Sequence, residues 1–312
     1  MSRSVRAFAP ASVGNIGVGF DLLGHVIEGP RDIATVRLIE DGEVRIEAIG
    51  GAVAGASDIP LDAERNTAGQ ALIALRQAMG VQHGFALSLE KGIPLGSGMG
   101  GSAASCVAAL VAANALLDAP LPREQLYPFA LDGEAVASGS RHGDNVAPML
   151  LGGVVMATAT RMFALPVPDH LHAVVVHPDQ VLETRRSRAV LAEPYPLHDV
   201  VEHSANLAQF VTGLLRGDLQ LIRDGLRDVL VEPRRAPLIP GFAAVKAAAL
   251  EHGALGASIS GGGPSAFAWF ASRAEAEAAA PAMRNGFVDA GFDARTYVSP
   301  VAGPRAEVIA DA

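Results

Sequence analysis

The sequence has a single cysteine and few basic residues. Cys106 has no partner for an internal disulfide, and a lone thiol is typical of a reducing compartment. Lysine and arginine total 24 against 33 aspartates and glutamates, which gives a formal net charge of −9. Binding along a nucleic-acid backbone requires an excess of basic residues, so the composition disfavours a nucleic-acid partner.

Long apolar runs are also missing. The longest one, from Ala103 to Leu117, contains Ser105 and Asn114 and is shorter than the ~18–20 residues that span a bilayer. Near the N-terminus, Pro10 interrupts the chain before an apolar run could form the core of a signal peptide. We therefore expect a cytoplasmic protein that has no membrane segment.

The chain is nevertheless long and rich in apolar residues. Half of its 312 residues are hydrophobic, and the length is twice the ~150 residues of a typical domain, so we expect two folded domains. The proline-punctuated stretch Leu165–Asp169 marks the expected boundary. This boundary gives an N-terminal domain over 1–164 and a C-terminal domain over 165–312.

Both halves mix strands and helices, which predicts an α+β fold rather than a regular doubly wound sheet. The predicted strands are Val5–Ala9, Ile33–Ile39, Val44–Ile49, Phe85–Leu89, Gly153–Ala157, Ala173–Val176, Ala257–Ser260 and Ala266–Phe270. The predicted helices are Asn66–Met79, Gly101–Leu117, Val200–Leu215, Leu219–Leu230, Phe242–Glu251 and Ala274–Ala282.

Glycines concentrate in the segment Pro94–Ser105, which we call the phosphate loop. Four of them lie within the six positions 96–101, directly before the apolar helix. Such a loop can turn several N–H groups inward at a helix N-terminus and so cradle an anion, although a flexible surface loop is the alternative. No Gly-Lys-Ser/Thr follows, which excludes a Walker A motif. A phosphate held here would depend on amides, hydroxyls, the helix dipole and a metal ion.

Three other segments concentrate glycine or polar residues. In 253–265, three consecutive glycines follow a short strand and form either a turn or part of a site. In Ala9–Asp21, Asn15 and Asp21 either contact a ligand or cap turns. The segment Asp132–Pro148 places carboxylates, a histidine and an asparagine between apolar stretches, and it is either a solvated loop or a site.

Together these segments resemble the three motifs of the GHMP kinase family. The N-terminal motif is matched by Pro10–Gly24, the glycine-rich phosphate motif by Pro94–Ser105 and the C-terminal glycine-rich motif by Gly256–Ser265. Two further segments, Ser138–Pro148 and Glu232–Phe242, are most similar to the members of the family that phosphorylate homoserine. The resemblance extends over nearly the whole chain.

The resemblance implies a two-domain α+β fold, with an N-terminal domain like ribosomal protein S5 and a ferredoxin-like C-terminal domain. It also implies phosphoryl transfer from ATP to L-homoserine, which yields O-phospho-L-homoserine and ADP on the route to threonine. The implied nucleotide-binding residues are Asn66, Pro94, Leu95, Gly96, Ser97, Gly98, Met99, Gly100, Gly101, Ser102 and Ala103. Asn66 could equally be a helix cap.

The same resemblance assigns Mg²⁺ to Ser102 and Glu134, whose hard oxygen donors suit that ion. A solvated carboxylate on a helix face is the alternative for Glu134. Where the family usually has a serine, this chain has Gly101, so one hydroxyl is missing beside the triphosphate.

The implied substrate is a zwitterion, which requires an anion for its ammonium and donors for its carboxylate. Asp21 matches the ammonium ligand, and Arg188 and Arg235 match the carboxylate ligands, a function suited to planar guanidinium groups. Asn145 would hold the reacting hydroxyl. The other residues expected to line this pocket are Asn15, His142 and Thr184. If the register is shifted, the alternatives are Arg185, Arg186 and Arg234.

The expected catalytic residues are Ser102, Glu134 and Asn145. Some members of the family pair an aspartate with a lysine as the base, but Lys91 and Lys246 match no such pair. We therefore expect no dedicated protein base, so that the γ-phosphate itself, or solvent through it, accepts the proton in a loose transition state.

Two other functions remain open from the sequence. The chain could be a different GHMP small-molecule kinase, or a non-catalytic sensor on the same fold, which the presence of both Ser102 and Glu134 disfavours. The resemblance to the family also suggests a homodimer. His170 and His172 could form a metal pair on a strand, but no third ligand is evident and we expect none. We expect Cys106 to pack in the core rather than to react.

Overall fold

The computed structural model describes residues 3–310 and contains two sheets with helices packed against them. The strands are β1 (Ser4–Gly14), β2 (Leu23–Ile39), β3 (Val44–Gly51), β4 (Gly84–Lys91), β5 (Val154–Ala157), β6 (Met162–Leu165), β7 (His172–Pro178), β8 (Gly256–Ile259), β9 (Ala266–Phe270), β10 (Ala294–Pro300) and β11 (Glu307–Val308). The helices are α1 (Thr67–Met79), α2 (Gly101–Asn114), α3 (Tyr127–Ser138), α4 (Val146–Leu151), α5 (Thr184–Ala189), α6 (Leu197–Arg216), α7 (Leu219–Gly225), α8 (Glu232–Arg235), α9 (Phe242–Glu251) and α10 (Arg273–Val288).

The first sheet has the order β11-β1-β2-β4-β3, and β5 and β6 extend it from the beginning of β2. Its strand pairs are antiparallel except β3 with β4. The second sheet has the order β10-β7-β9-β8 and is antiparallel throughout. The fold is therefore α+β, as predicted.

Helix α2 occupies the centre of the larger core. Its residues from Ala103 to Asn114 are all buried, and they face β1 and β2 as well as the neighbouring helices α1 and α3. A helix that is apolar on all sides requires such complete coverage. Cys106 belongs to this core with no exposed surface, so it packs as expected. The buried α2 gives the part of the phosphate loop that precedes it, residues 94–100, a rigid base.

A second core lies between the smaller sheet and helices α9 and α10. The two sheets are tied by a buried hydrogen bond of 3.2 Å from Trp269 Nε1 on β9 to His25 Nε2 on β2. The larger core, formed mainly by the predicted N-terminal half, also includes side chains from the predicted C-terminal half, Leu171 and Phe267 among them. The division into 1–164 and 165–312 stays a prediction.

Several sequence-based expectations about individual elements were wrong. The predicted strand Val5–Ala9 is too short, because β1 runs from Ser4 to Gly14, with a register shift between Pro10 and Ser12. A helix over Leu219–Leu230 was expected, but α7 ends at Gly225. The apolar helix that begins at Gly101 ends at Asn114 instead of Leu117.

His170 and His172 do not share a strand, since His170 lies in the turn before β7. Within residues 3–310, no group of three or more His, Cys, Asp or Glu side chains is arranged to hold a metal ion. The same part of the chain contains no helix with the length and apolar character needed to cross a membrane.

Candidate active site

A cavity of about 380 Å³ lies where the phosphate loop, the turn after β1, and helices α3, α5 and α8 meet. Most of the residues singled out from the sequence line it. They are Asn15, Asp21, Asn66, Pro94, Leu95, Gly96, Ser97, Gly98, Gly100, Gly101, Ser102, Glu134, His142, Asn145, Thr184, Arg188 and Arg235. Met99 and Ala103 are fully buried beside it. Residues up to 220 positions apart thus converge on one cavity, and their individual roles stay predictions.

The phosphate loop turns into the cavity through glycines in the left-handed region. Gly98 has φ 76°, and a Cβ there would stand 2.5 Å from the carbonyl oxygen of Ser260 and 2.7 Å from that of Gly263. Ser260 Oγ also donates to the carbonyl of Gly98 at 2.8 Å, and Ser265 Oγ donates to that of Ser97 at 2.6 Å. The C-terminal glycine cluster is therefore not an isolated turn but the support of the phosphate loop.

Helix α2 begins at Gly101, so its N-terminus opens on the cavity. The free N–H groups of a first turn and the positive end of the helix dipole favour an anion at this position. The loop geometry and the helix end have the features of the anion cradle that the glycine spacing predicted as one of two alternatives, and anion binding there stays a prediction.

Lys91 lies behind this first turn, a placement that the sequence did not reveal. Its buried Nζ donates to the carbonyl of Gly101 at 2.7 Å and to Ser105 Oγ at 2.8 Å, and it pairs with the buried carboxylate of Asp32. Asp32 also accepts hydrogen bonds from the N–H groups of Gly92 and Ile93. The ammonium is compensated by Asp32, so the pair secures the start of α2 with no net charge.

Ser102 and Glu134 meet across the cavity from α2 and α3. Ser102 Oγ donates to the Glu134 carboxylate at 3.0 Å and 3.3 Å. Burial raises the pKa of Glu134 to about 7, the hydrogen bond from Ser102 lowers it and the charge of Asp144 raises it further. A hydroxyl and a carboxylate side by side at the helix N-terminus form an oxygen donor set of the kind that Mg²⁺ prefers.

Asp21 and Asn15 are held in a tight turn after β1. Both have positive φ, 57° and 71°, a conformation that aspartate and asparagine tolerate better than most residues. Asn15 Oδ1 accepts from the N–H of Asp21 at 3.0 Å, and Asn15 Nδ2 donates to the carbonyl of Gly261 at 2.9 Å. Asn15 thereby fixes the turn that presents the Asp21 carboxylate to the cavity.

The two predicted arginines arrive from different helices. Arg188 on α5 donates to both oxygens of Asp21, at 2.8 Å and 3.2 Å, and its buried Nε has no hydrogen-bond partner among the described residues. Arg235 on α8 is 3% exposed and donates from Nε to Ser187 and from Nη1 to Gly261, both main-chain carbonyls. Burial lowers the pKa of Arg235 to about 10, so it remains cationic at neutral pH.

The neighbouring arginines have other positions. Arg185 and Arg186 are exposed on α5. Arg234 stacks over the ring of Tyr195 at 3.6 Å and donates to the carbonyls of Glu193 and Pro194. Arg188 and Arg235 line the cavity, which supports the register chosen from the sequence.

A further acidic group, Asp144, lies beside Asn145 and was not among the predicted site residues. Asn145 Nδ2 donates to Asp144 Oδ2 at 3.3 Å. Burial raises the pKa of Asp144 to about 7, with a further rise from the charge of Asp21 and a decrease from Arg188. His142 contacts Asp21 at 3.2 Å, and burial lowers its pKa. In the sequence, the signal for Asp144 was its position next to Asn145.

Asn66 acts as a helix cap in this structure. Its Oδ1 accepts from the N–H groups of Ala68 and Gly69 at the start of α1, and its Nδ2 donates to the carbonyl of Pro60 at 3.0 Å. The side chain also lines the cavity. A contact between Asn66 and a nucleotide stays a prediction.

Comparisons with known proteins point to one family. A family model of the GHMP kinases N terminal domain matches residues 66–153, and one of the GHMP kinases C terminal matches residues 210–289. Homoserine kinases of Xylella fastidiosa (strain M12) and Xanthomonas campestris pv. campestris (strain B100) are 58% and 59% identical over 99% of this chain and 95% of theirs. The crystal structure of homoserine kinase from Cytophaga hutchinsonii, 41% identical, superimposes with a TM-score of 0.93 over 98% of this chain and 97% of that chain.

Proposed function

Since the chain belongs to the homoserine kinases of the GHMP kinase family, we propose that it transfers the γ-phosphoryl group of ATP to the side-chain hydroxyl of L-homoserine. The products are O-phospho-L-homoserine and ADP, and the reaction is a step towards threonine. The observation that carries the proposal is one cavity that joins an anion cradle to a cluster of one carboxylate and two guanidinium groups. The first part suits a triphosphate, and the second suits a small zwitterion.

The triphosphate would lie on the phosphate loop, whose residues Gly96–Gly98 and Gly100–Ser102 line the cavity at the N-terminus of α2. Phosphoryl transfer depends mainly on neutralising charge and on holding the groups in line. Ser102 and Glu134 would hold Mg²⁺, which when bound supplies positive charge to the phosphates. Burial raises the pKa of Glu134 more than the hydrogen bond from Ser102 lowers it, so a bound cation would favour the ionised carboxylate.

The amino acid would bind on the opposite side of the cavity. The Asp21 carboxylate would accept hydrogen bonds from the substrate ammonium, and Arg188 and Arg235 would donate to the substrate carboxylate. Asn145 would hold the hydroxyl, whereas Asn15, His142 and Thr184 complete the wall.

No protein base is assigned to the hydroxyl proton. We infer that it passes to the γ-phosphate as the bond to ADP breaks in a loose transition state. Asp144 is the carboxyl nearest to Asn145, and its raised pKa of about 7 makes it the rival acceptor.

A coupled assay of ADP release tests the proposal. At fixed ATP and Mg²⁺, we expect L-homoserine to give the highest kcat/KM in a panel that also contains mevalonate and galactose. A preference for another alcohol would favour a different GHMP kinase, and tight homoserine binding without ADP release would favour a non-catalytic sensor. The homodimer and the cytoplasmic location stay predictions; sedimentation velocity tests the first.

A further inference from the structure

Ser12 connects the phosphate loop to the predicted ligand of the reacting hydroxyl. It lies on β1, has no exposed surface and is not part of the cavity wall. Its main-chain N–H donates to the carbonyl of Met99 in the phosphate loop at 3.1 Å. Its Oγ donates to Oδ1 of Asn145 at 2.8 Å. One buried residue therefore touches both halves of the site.

Gly100 brings the phosphate loop directly against this serine and asparagine. A Cβ at Gly100 would stand 2.5 Å from Ser12 Oγ and 2.9 Å from Asn145 Oδ1, closer than atoms can approach. A side chain at position 100 would displace the Ser12 hydroxyl or the Asn145 amide, which glycine leaves in place. The distance between the loop and the Asn145 amide is thus set by van der Waals contact through Ser12.

The Asn145 amide has a donor end and an acceptor end, and a half-turn of the amide exchanges them. Ser12 donates to the oxygen, and the nitrogen donates to Asp144 Oδ2 at 3.3 Å. Both ends are therefore engaged, and the amide is held in one orientation. In-line transfer is sensitive to such alignment, because a displacement of about 1 Å can lower a rate 100-fold.

We infer that Ser12 is a positioning residue whose hydroxyl fixes the Asn145 amide and with it the line from the acceptor hydroxyl to the phosphate loop. This inference rests on the proposed function. Ser12 acts through Asn145 rather than on the substrate, since it is buried behind that side chain. Its sequence signal is weak, because a serine in the N-terminal motif is also consistent with a turn.

A double-mutant cycle tests the inference. We expect Ser12→Ala to lower kcat about tenfold with little change in the KM for ATP, and Asn145→Ala to lower kcat at least as much. In the double variant, kcat should equal that of Asn145→Ala, since the hydroxyl then has nothing to position. A further tenfold loss in the double variant would show that Ser12 acts independently and would overturn the inference.

Ser299→Ala is the matched control. Ser299 is 1% exposed, accepts a hydrogen bond from the N–H of Glu28 and donates to the carbonyl of Pro300, on a strand of the smaller sheet. Ser299→Ala removes a buried hydroxyl, as Ser12→Ala does, but the hydrogen-bond partners of this hydroxyl are not site residues. We expect kcat to be unchanged in this control, and Ser12→Thr to retain more of kcat than Ser12→Ala. An equal loss of kcat in Ser299→Ala would show that Ser12→Ala acts through general destabilisation, and it would overturn the inference.

A second readout needs no substrate. The side-chain ¹⁵N–¹H₂ resonances of Asn145, identified by their absence in Asn145→Ala, should shift or broaden in Ser12→Ala but not in Ser299→Ala. Unchanged resonances in Ser12→Ala would overturn the positioning role. If the wild-type protein released no ADP with homoserine, the proposed function would fail while this measurement still decided the role of Ser12.

Discussion

The carboxylate of Asp21 and the guanidinium of Arg188 form a two-pronged ion pair, with N–O distances of 2.8 Å and 3.2 Å. These are the predicted anchors of the substrate ammonium and of the substrate carboxylate. A bound zwitterion would place its ammonium against Asp21 and its carboxylate against Arg188. Both side-chain charges would therefore stay compensated. A ligand with one charged end would separate the pair and leave one member uncompensated.

We predict that the site discriminates strongly against substrates with one charge. The analogues 4-hydroxybutanoate and 3-aminopropan-1-ol keep the reacting hydroxyl but lack the ammonium and the carboxylate, respectively. An unpaired, partly buried charge costs about 3 kcal/mol, so each analogue should show a kcat/KM at least about 100-fold below that of L-homoserine. The coupled ADP assay measures this ratio.

Two arginine variants provide the control for that experiment. Arg188→Ala should raise the KM for L-homoserine about 100-fold and bring its kcat/KM closer to that of 3-aminopropan-1-ol. Arg185→Ala, on the same short helix but exposed, should leave both values unchanged. Equal effects of the two variants would show that the carboxylate binds elsewhere.

The close packing behind Gly98 gives a prediction for nucleotide binding. Gly98→Ala places a Cβ within 2.7 Å of two main-chain carbonyl oxygens, which must move and distort the phosphate loop. We expect the KM for ATP to rise at least about 30-fold and the protein to lose 1–3 kcal/mol or so of stability. Steady-state kinetics at varied ATP concentration and urea denaturation measure the two effects.

Gly139→Ala is the control that separates backbone strain from the steric clash of the added Cβ. Gly139 has the same φ of 76°, but a Cβ there meets no atom within 4 Å. The two variants therefore share the cost of the left-handed backbone and differ in the contact with the C-terminal glycine cluster. Comparable losses of ATP affinity in both would argue against a supporting role for that cluster.

The proton acceptor can be tested at Asp144. We expect Asp144→Asn to retain turnover within about tenfold of the wild type, since an asparagine oxygen can still accept from Asn145 and no base is lost. Asn145→Ala should lower kcat through lost alignment. If Asp144→Asn abolished turnover while homoserine binding and the fold stayed intact, Asp144 would be the base.

The raised pKa of Glu134 predicts how stability changes with pH. Its pKa is about 7 in the folded protein against an ordinary 4.5, so the folded state binds a proton more tightly than the unfolded state. Between pH 4.5 and 7 the unfolded chain releases this proton first, and the Glu134 contribution to the free energy of unfolding falls as pH rises. The decrease is on the order of 3 kcal/mol, and it is complete above pH 7.

The predicted quantity is the difference in the free energy of unfolding between Glu134→Gln and the wild type. His25 and His177 are buried with their pKa lowered to about 4, so their contribution rises with pH in the same range and partly cancels that of Glu134. In urea denaturation at pH 5, 6, 7 and 8, Glu134→Gln should gain stability relative to the wild type as pH increases. A difference that stays constant with pH would show that Glu134 titrates normally.

Much of the fold and site was predictable because local signals agreed. The glycine spacing and the apolar helix after Gly101 together favoured an anion cradle over a surface loop, and the absence of a lysine at the motif excluded a Walker A loop. The choice of Arg188 and Arg235 over Arg185 came from the resemblance, since composition does not distinguish one arginine from another.

Tertiary placement accounts for what the sequence did not reveal. Lys91 and Asp32 are 59 residues apart, and their pairing under α2 arises only when β2 and β4 align. The continuation of β1 through Pro10 depends on a register shift that accommodates the proline. Ser12 belongs to the N-terminal motif, but its contact with Asn145, 133 positions away, arises only in the folded chain.

The most direct test of the account is a crystal structure with Mg²⁺, a non-hydrolysable ATP analogue and L-homoserine. The account predicts the β- and γ-phosphates on the amides between Gly96 and Ser102, with the homoserine hydroxyl directed from Asn145 towards the γ-phosphate. A nucleotide bound outside this cavity, with the phosphate loop free of it, would contradict the account.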